Sequence, residues 1–357
     1  MGAFLAWLWG DTPGFFGFFR FPFTVVSWCY GGVSALRRWF YRKGLFSKKK
    51  VACPVVSIGN ITAGGTGKTP MAIYLAEQWH EKGVKVGIVS RGYRRKNKAA
   101  VVLVSEGTGP CTTPDAVGDE PYLMAERLKG VPIVVAADRF LGCQELIARF
   151  GVEVILLDDG FQHLRLHRDV NLLIIDAANP FGNGHLLPRG ALREPHSQIK
   201  RGDWVIFTRA DEGLAMGELM RRVAPFQTRM LQSRFEATAL IDLCTDECLS
   251  PSVLSGKQVL PFCGIGNPDA FLNQLALLGA KPEHPQLFED HHDYQAHDLA
   301  AVRAAAETAG IEWIVTTEKD AVKIKAFLTG CQKVYALRIG PVFTHDLEPL
   351  FSRLFEK

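Results

Sequence analysis

Several features are scarce in this chain, and each scarcity removes a class of function. Its eight cysteines are scattered over 357 residues without the paired spacing of a zinc site or the density of a disulfide scaffold. They fit a reducing compartment, and Cys244 and Cys248, the one close pair, have no second pair or nearby histidine to complete a metal site. Charge of one sign is also lacking. Forty-one Lys plus Arg against 37 Asp plus Glu gives +4, too slight a balance to imply nucleic acid as a partner. Repeats and low-complexity tracts are absent. With 47% hydrophobic and 22% charged residues the chain has ample material for a core, and its length suggests about two domains.

The first 46 residues lack acid. Asp11 is the only carboxylate from Met1 to Phe46, aromatic residues crowd the stretch, and Arg37, Arg38, Arg42, Lys43 and Lys48 to Lys50 close it. The longest uncharged run there, Phe21 to Leu36, has 16 residues. As a helix it spans about 24 Å against a hydrocarbon core of about 30 Å. Extension back to Pro13 gives 24 residues but takes in Arg20, which must then snorkel to an interface. A tilted span and an interfacial anchor both fit, as does an apolar helix packed on the protein's own core. A secretory signal does not fit, because the basic cluster follows the apolar run and no convincing cleavage site appears. Residues 1–50 are therefore expected to form an N-terminal membrane-associated helix, with the basic cluster holding the rest of the chain on the cytoplasmic face.

Beyond residue 50 short β-branched runs alternate with helical stretches: Pro54–Gly59, Val84–Ser90, Val101–Val104, Val131–Ala136, Val152–Leu157, Val170–Asp176 and Trp204–Thr208. Near-continuous apolar strands separated by helices predict a parallel sheet with helices on both faces, over residues 51–234. A Gly/Pro-rich segment between Ala178 and Lys200 is too long for a simple connection and suits a site loop. A second, smaller α/β domain is expected over 235–357, with strands near Phe235–Leu243, Gln258–Phe262, Trp313–Thr316 and Val334–Leu337 and helices near Asp269–Leu278 and Asp298–Ala309.

The strongest motif is Thr62-Ala63-Gly64-Gly65-Thr66-Gly67-Lys68-Thr69, between a strand and a helix. Glycines let consecutive backbone N–H groups surround phosphate oxygens, Lys68 reaches the β/γ-phosphates, and Thr69 offers its hydroxyl to Mg²⁺. Only Thr62, where glycine is usual, departs from the consensus. A metal ligand should close another core strand, and the run from Val152 to Leu157 ends in Asp158 and Asp159. This reads as a Walker B pair, of which at most one carboxylate ligates directly, since adjacent strand residues point to opposite faces.

These parts serve hydrolysis or transfer, so an acceptor site must be sought elsewhere. Gly118-Asp119-Glu120 reads either as a helix N-terminus with an acidic first turn or as a carboxylate base for an alcohol. Arg91 to Arg95 either meet phosphates at the same sheet edge or are solvated. In the second domain Phe288 to Tyr294 (FEDHHDY) concentrates titratable groups, and its histidines read as capping or surface groups or as partners of a carboxylate base.

At this point the motifs, taken in order, resemble a family, the tetraacyldisaccharide 4′-kinases. They are Ser57 to Pro70 (SIGNITAGGTGKTP), Ser90 to Tyr93 (SRGY), Gly118 to Pro121 (GDEP), Asp158 to His163 (DDGFQH), Leu187 to Pro195 (LPRGALREP), Gly264 to Pro268 (GIGNP), Asp290 to Tyr294 (DHHDY) and Thr316 to Asp320 (TTEKD). The resemblance implies an ATP- and Mg²⁺-dependent kinase at the bacterial inner membrane that phosphorylates an acylated disaccharide 1-phosphate. It implies Asp119 as base or positioning group for the sugar 4′-hydroxyl, supported by His291 from the second domain, with His292 as the alternative. Asp158, Asp159 and Gln162 would organise Mg²⁺ beside Thr69. Arg193 and Glu194 would lie near the nucleotide phosphates. A partitioning-type membrane ATPase is the other reading, and Ala63 counts against it where such loops carry a signature lysine. A GTP-driven metallochaperone lacks its metal motif and Asn-Lys-x-Asp.

Overall fold

The computed structural model describes residues 8–10, 20–211, 216–328 and 333–352. Residues 13–19 of the expected apolar segment and Cys331 lie outside them. The chain forms two compact units. One extends to Arg234 and resumes at Pro341; the other is Phe235–Gly340.

The larger unit is built on β1 (Val55–Gly59), β2 (Val86–Ser90), β3 (Val101–Ser105), β4 (Ile133–Ala136), β5 (Val154–Leu157), β6 (Val170–Asp176), β7 (Trp204–Thr208) and the start of β8 (Arg229–Asp242). They lie in the order β3-β4-β2-β5-β1-β6-β7-β8. All neighbours are parallel except β3, which runs antiparallel to β4 at the edge. That edge strand corrects the expectation of a wholly parallel sheet. Val101 to Leu103 are only half-buried, and an antiparallel strand tolerates one solvated face.

Alternate residues of the central strands point to opposite faces, and both sets are buried, so the strands read as unbroken apolar runs. On one face Val55, Val89, Val134, Ala136, Ile155 and Leu157 meet Cys143 and Leu146 of the helix Arg139–Phe150. The helix Lys68–Glu81 contacts β1 and β2, and its Met71, Leu75, Ala76 and Trp79 are buried. The returning tail belongs here because Phe351 packs edge-on against Trp79 and Phe343 lies against Tyr74. Burial of an aromatic ring contributes about 1.5–3 kcal/mol, whereas the exposed Lys82–Glu348 pair beside it contributes about 0–1 kcal/mol, so the rings hold the tail.

Gly59, the last residue of β1, has a packing role that any side chain would spoil. A Cβ there would lie 2.5 Å from the Phe161 Cβ and 2.9 Å from its backbone nitrogen. Gly59→Ala is expected to destabilise the protein by about 1–3 kcal/mol, read as a lowered denaturation midpoint at unchanged slope.

In the smaller unit β10 (Gln258–Cys263) pairs in parallel with β13 (Trp313–Thr317), and β13 with β14 (Val334–Phe343). The short β11 (Lys281–Pro282) and β12 (Gln286–Leu287) add to β10, and β9 (Cys248–Leu249) pairs antiparallel with β8. Helices Pro268–Leu277 and Ala296–Ala309 cover this sheet, with Phe262, Leu260, Ile314 and Tyr294 in one core cluster and Val259, Leu275 and Val315 in another. Cys244 and Cys248 are exposed thiols.

The N-terminal helix spans Phe21–Arg42. No helix among the described residues is long and apolar enough to cross a membrane, which removes the tilted span for that part of the chain. Of its residues only Ser27 is buried. Ser27, Gly31, Ser34 and Arg38 form an inner stripe at helical spacing, whereas Phe21, Val26, Trp28, Val33 and Leu36 are each more than half exposed.

Candidate active site

In a parallel sheet the loops after the strands gather at one edge, and the chain places its motifs there. The phosphate loop follows β1 and runs into the helix Lys68–Glu81 with Gly67 at the N-cap. Its anchors are polar side chains from the sheet. The Asn60 amide donates to the Thr66 hydroxyl at 2.9 Å, and the Thr208 hydroxyl at the end of β7 donates to the Thr66 carbonyl at 3.0 Å. Thr62 is buried in an isolated bridge to Leu192, and the Ala63 N–H donates to the Ala191 carbonyl at 2.7 Å. Gly64 and Gly65 are exposed and a Cβ on either meets nothing within 4 Å. The loop is thus fixed at both ends and open at its crown.

Asp158 follows β5 and is buried. Its Oδ2 accepts from the Ser90 hydroxyl at 2.9 Å, while Oδ1 has no hydrogen-bond partner among the described residues. Burial, then the Glu120 and Asp159 carboxylates, push its carboxyl up to about 7 against the pull of Ser90 and Lys68. A buried carboxylate with an orphaned oxygen, repelled by two others, is the electrostatic setting a divalent cation relieves. Among the described residues no three His, Cys, Asp or Glu side chains cluster as a complete metal cage. Mg²⁺ needs none when it takes one or two carboxylates with hydroxyl, water and substrate phosphate oxygens, and Thr69 with Asp158 fits that donor set.

Asp159 differs from its neighbour. It adopts a left-handed backbone, φ 50°, which Asp tolerates better than most residues and which turns its carboxylate away from the strand direction. Both its oxygens accept from Arg193 Nη1, at 3.0 and 2.9 Å, and Lys68 Nζ lies 3.8 Å away. Burial works to raise its carboxyl, but Lys68 and Arg193 outweigh it and hold the group below the usual carboxylate range. The Gln162 amide donates to the Asn60 carbonyl at 2.8 Å, tying the Asp158–His163 turn to the start of the phosphate loop. Lys68, Asp158, Asp159 and Arg193 therefore come together, Gln162 ties their turn to the phosphate loop, and Thr69 follows Lys68 in the first turn of its helix.

Asp119 is half-buried in the first turn of the helix Asp119–Arg127, so the helix reading of that motif holds for the backbone. Gly118, at φ 96°, lies against Tyr93: a Cβ would sit 2.7 Å from the Tyr93 carbonyl oxygen. A Cβ on Gly92 would in turn sit 2.7 Å from the Val117 carbonyl. The SRGY and GDEP motifs thus interlock through glycines, and the field of Glu120 at Asp158 puts this helix end near the acidic pair. Within the basic run Arg95 is buried and donates to the carbonyls of Val135 and Ala99, while Arg91 and Arg94 are exposed.

Glu194 is buried, and its carboxylate pairs with Arg201 and with Arg38, the latter at 3.4 Å. Its charge is taken up in tying its own segment to Arg201 and to Arg38 of the N-terminal helix. In the smaller unit His291 and His292 separate clearly. His292 Nε2 bonds Asp298 at 3.0 Å and its ring stacks on Phe288, as a structural histidine does. His291 has a left-handed backbone, φ 63°, and its Nε2 lies 3.3 Å from Lys319 Nζ, which also donates to Asp290 at 3.1 Å. An ammonium donating to Nε2 leaves the ring proton of neutral imidazole on Nδ1.

Sequence reasoning gave no role to Asn60, Ser90, Arg139, Arg168 or Arg201. Arg168 donates to the carbonyls of Gly160 and Phe161 at 3.0 Å each, Arg201 donates to Phe161 at 2.6 Å, and together they clamp the turn that carries the acidic pair. Arg139 is buried close enough to feel both aspartates, its guanidinium lowered to about 10 by burial and by Arg91. Nothing local marks an arginine that serves a distant turn. Asn60 and Ser90 stood inside recognised motifs, and their strand-end positions were the available signal.

A family model described as tetraacyldisaccharide-1-P 4′-kinase matches residues 19–356. The chain is 38% identical over 344 residues to a tetraacyldisaccharide 4′-kinase of Syntrophus aciditrophicus, covering 90% of this chain and 91% of that one. It is 40% identical over 322 residues to one of Desulfatibacillum aliphaticivorans, covering 89% and 88%. Among solved structures, the "apo" form of LpxK from Aquifex aeolicus in complex with ATP aligns with a TM-score of 0.74 at 32% identity, over 92% of this chain and 96% of that one.

Proposed function

The chain belongs to the tetraacyldisaccharide-1-phosphate 4′-kinase family, and on that premise we propose how its own residues perform the reaction. Its activity is ATP-dependent transfer of a phosphoryl group to the 4′-hydroxyl of a tetraacyldisaccharide 1-phosphate in lipid A biosynthesis. The observation that carries the assignment of parts is the convergence of Lys68, the Asp158–Asp159 pair and Arg193 beside one phosphate loop.

The loop from Thr62 to Thr69 binds the ATP phosphates through its open glycine crown and the helix N-terminus behind it. Lys68 and Arg193, held beside each other by Asp159, supply positive charge where the transferring phosphoryl group gathers negative charge. Mg²⁺, held by Thr69 and Asp158 with Asp159 and Gln162 around it, would offset the phosphate charge further. Asp119 accepts or positions the proton of the attacking hydroxyl. Of the two adjacent histidines we assign the functional role to His291 rather than His292, because the His292 ring is fixed by Asp298 and by the Phe288 and Tyr294 rings. ATP turnover must then depend on the acceptor. ADP release at least about tenfold faster with the disaccharide 1-phosphate than without it supports a transferase, and equal rates would favour the membrane ATPase reading.

The N-terminal helix supports a location at the inner membrane. Its small and polar stripe faces the protein while its apolar residues face outward, the reverse of an ordinary surface helix, and basic residues follow it. Such a helix lies in the interface plane, apolar face in the acyl region and basic residues at anionic headgroups, with the catalytic units on the cytoplasmic side. Burial of Trp28 and Leu36 contributes about 1.5–3 kcal/mol each, so Trp28→Ser with Leu36→Ser should weaken binding to anionic vesicles by about 10²–10⁴-fold. ATP binding should not change, and flotation of the doubly substituted chain at the wild-type level would remove the helix from the membrane contact.

A further inference from the structure

The LPRGALREP motif does more than present Arg193. Residues 191–194 lie along the start of the phosphate loop like a short strand: Ala63 N–H donates to the Ala191 carbonyl and Arg193 N–H donates to the Ile61 carbonyl, each at 2.7 Å. The same segment is gripped from the N-terminal helix. The Ser27 hydroxyl donates to the Leu186 carbonyl at 2.8 Å and accepts from the Arg189 N–H at 3.0 Å. The Tyr30 hydroxyl donates at 3.0 Å to the carbonyl of Arg193 itself, and Arg38 pairs with Glu194. Further bonds join Arg189 to the Leu8 carbonyl at 2.6 Å and Trp9 to the Pro188 carbonyl at 3.1 Å. At Gly31 a Cβ would lie 2.8 Å from Leu186, so helix and segment are in close packing.

We propose that Ser27 and Tyr30 are positioning residues for ATP: through the segment 186–194 these two side chains of the membrane-facing helix set the phosphate loop and the aim of Arg193. The physical basis is short. Arg193 reaches Asp159 with both bonds from one nitrogen, so its guanidinium depends on where its backbone stands, and Tyr30 holds that backbone at the carbonyl of the same residue. Small misplacements of a phosphate-binding group are costly to transfer, since reacting atoms must meet within tenths of an ångström. The buried Ser27 hydroxyl shares its proton between the Phe23 and Leu186 carbonyls and accepts from the Arg189 N–H, so its loss takes a partner from that N–H and one of two donors from the Leu186 carbonyl. The outer face of this helix and these two side chains thus have separate duties, lipid contact for one and nucleotide geometry for the other. The inference rests on the reading of the Lys68 loop as the nucleotide site.

The test uses the full chain in mixed micelles, with steady-state kinetics varied in each substrate for Tyr30→Phe, Ser27→Ala and the double substitution. Tyr30→Phe removes one hydroxyl from an exposed residue and keeps the ring, so the fold is safe. Each single variant should lower kcat/KM for ATP about three- to tenfold, chiefly through a raised KM for ATP, the size expected from one hydrogen bond. KM for the lipid acceptor and partition onto anionic vesicles should stay at wild-type values. Wild-type KM for ATP in all three variants would overturn the proposal. So would an equal rise in both KM values with loss of vesicle binding, which marks local unfolding instead of positioning. Lys68→Ala, run alongside, separates the two levels: if it too leaves ATP binding untouched, the nucleotide reading fails and not the relay.

Discussion

Replacing Asp119 by Ala lowers kcat by about 10²–10⁴-fold and leaves KM for ATP near the wild-type value. The expectation follows from its place. Asp119 stands in the first turn of its helix, and the backbone around it is set by the contact of Gly118 with the Tyr93 carbonyl, which does not involve the carboxylate. The substitution therefore removes an acid group and leaves the Gly118–Tyr93 contact in place. An alcohol attacking a phosphoryl group gains from a carboxylate that takes or orients its proton, and ATP binding has no use for one. Asp119→Asn separates the two roles. An Asn variant as slow as the Ala variant identifies proton acceptance, and one that recovers most of kcat identifies positioning alone. Single-turnover measurement keeps product release from masking the chemical step.

Replacing Lys68 by Ala is the second large effect, a loss of on the order of 10²–10³-fold in kcat with a raised KM for ATP. Lys68 lies 3.8 Å from Asp159, in an acidic surrounding of Asp158, Asp159 and Glu120. Its removal takes a cation from the phosphates and leaves Asp159 to Arg193 alone. Both consequences push the same way, because incoming phosphate then meets more uncompensated negative charge. Lys68→Arg should restore little, since a broad planar guanidinium does not fit a loop shaped around a compact ammonium. Near-normal kcat in Lys68→Ala would show that Arg193 suffices for the transferring phosphate.

Much of the sheet could be read from the residues because its strands are buried on both faces. Pro54–Gly59, Val152–Leu157 and Trp204–Thr208 stand within two residues of the observed β1, β5 and β7. The edge strand β3 could not be oriented, since a run such as Val101–Val104 looks the same in either direction. The placement of Thr69 and Asp158 was legible because strand–loop–helix and strand–carboxylate patterns are local. The left-handed turn at Asp159, the clamp of Arg168 and Arg201, and the pairing of residues 61–63 with 191–194 join positions far apart in the chain. No spacing rule reports them. The N-terminal helix was legible as apolar and basic, but its inside-out orientation depends on Ser27 and Tyr30 meeting carbonyls near residue 190.

The fate of the γ-phosphate of ATP tests the central claim most directly. With labelled ATP, Mg²⁺ and a tetraacyldisaccharide 1-phosphate in detergent, the account predicts label on the 4′ oxygen of the lipid, one for each ATP consumed, and transfer by Asp119→Ala slower by about 10²-fold or more. Label recovered as inorganic phosphate, with the lipid unchanged, would contradict it.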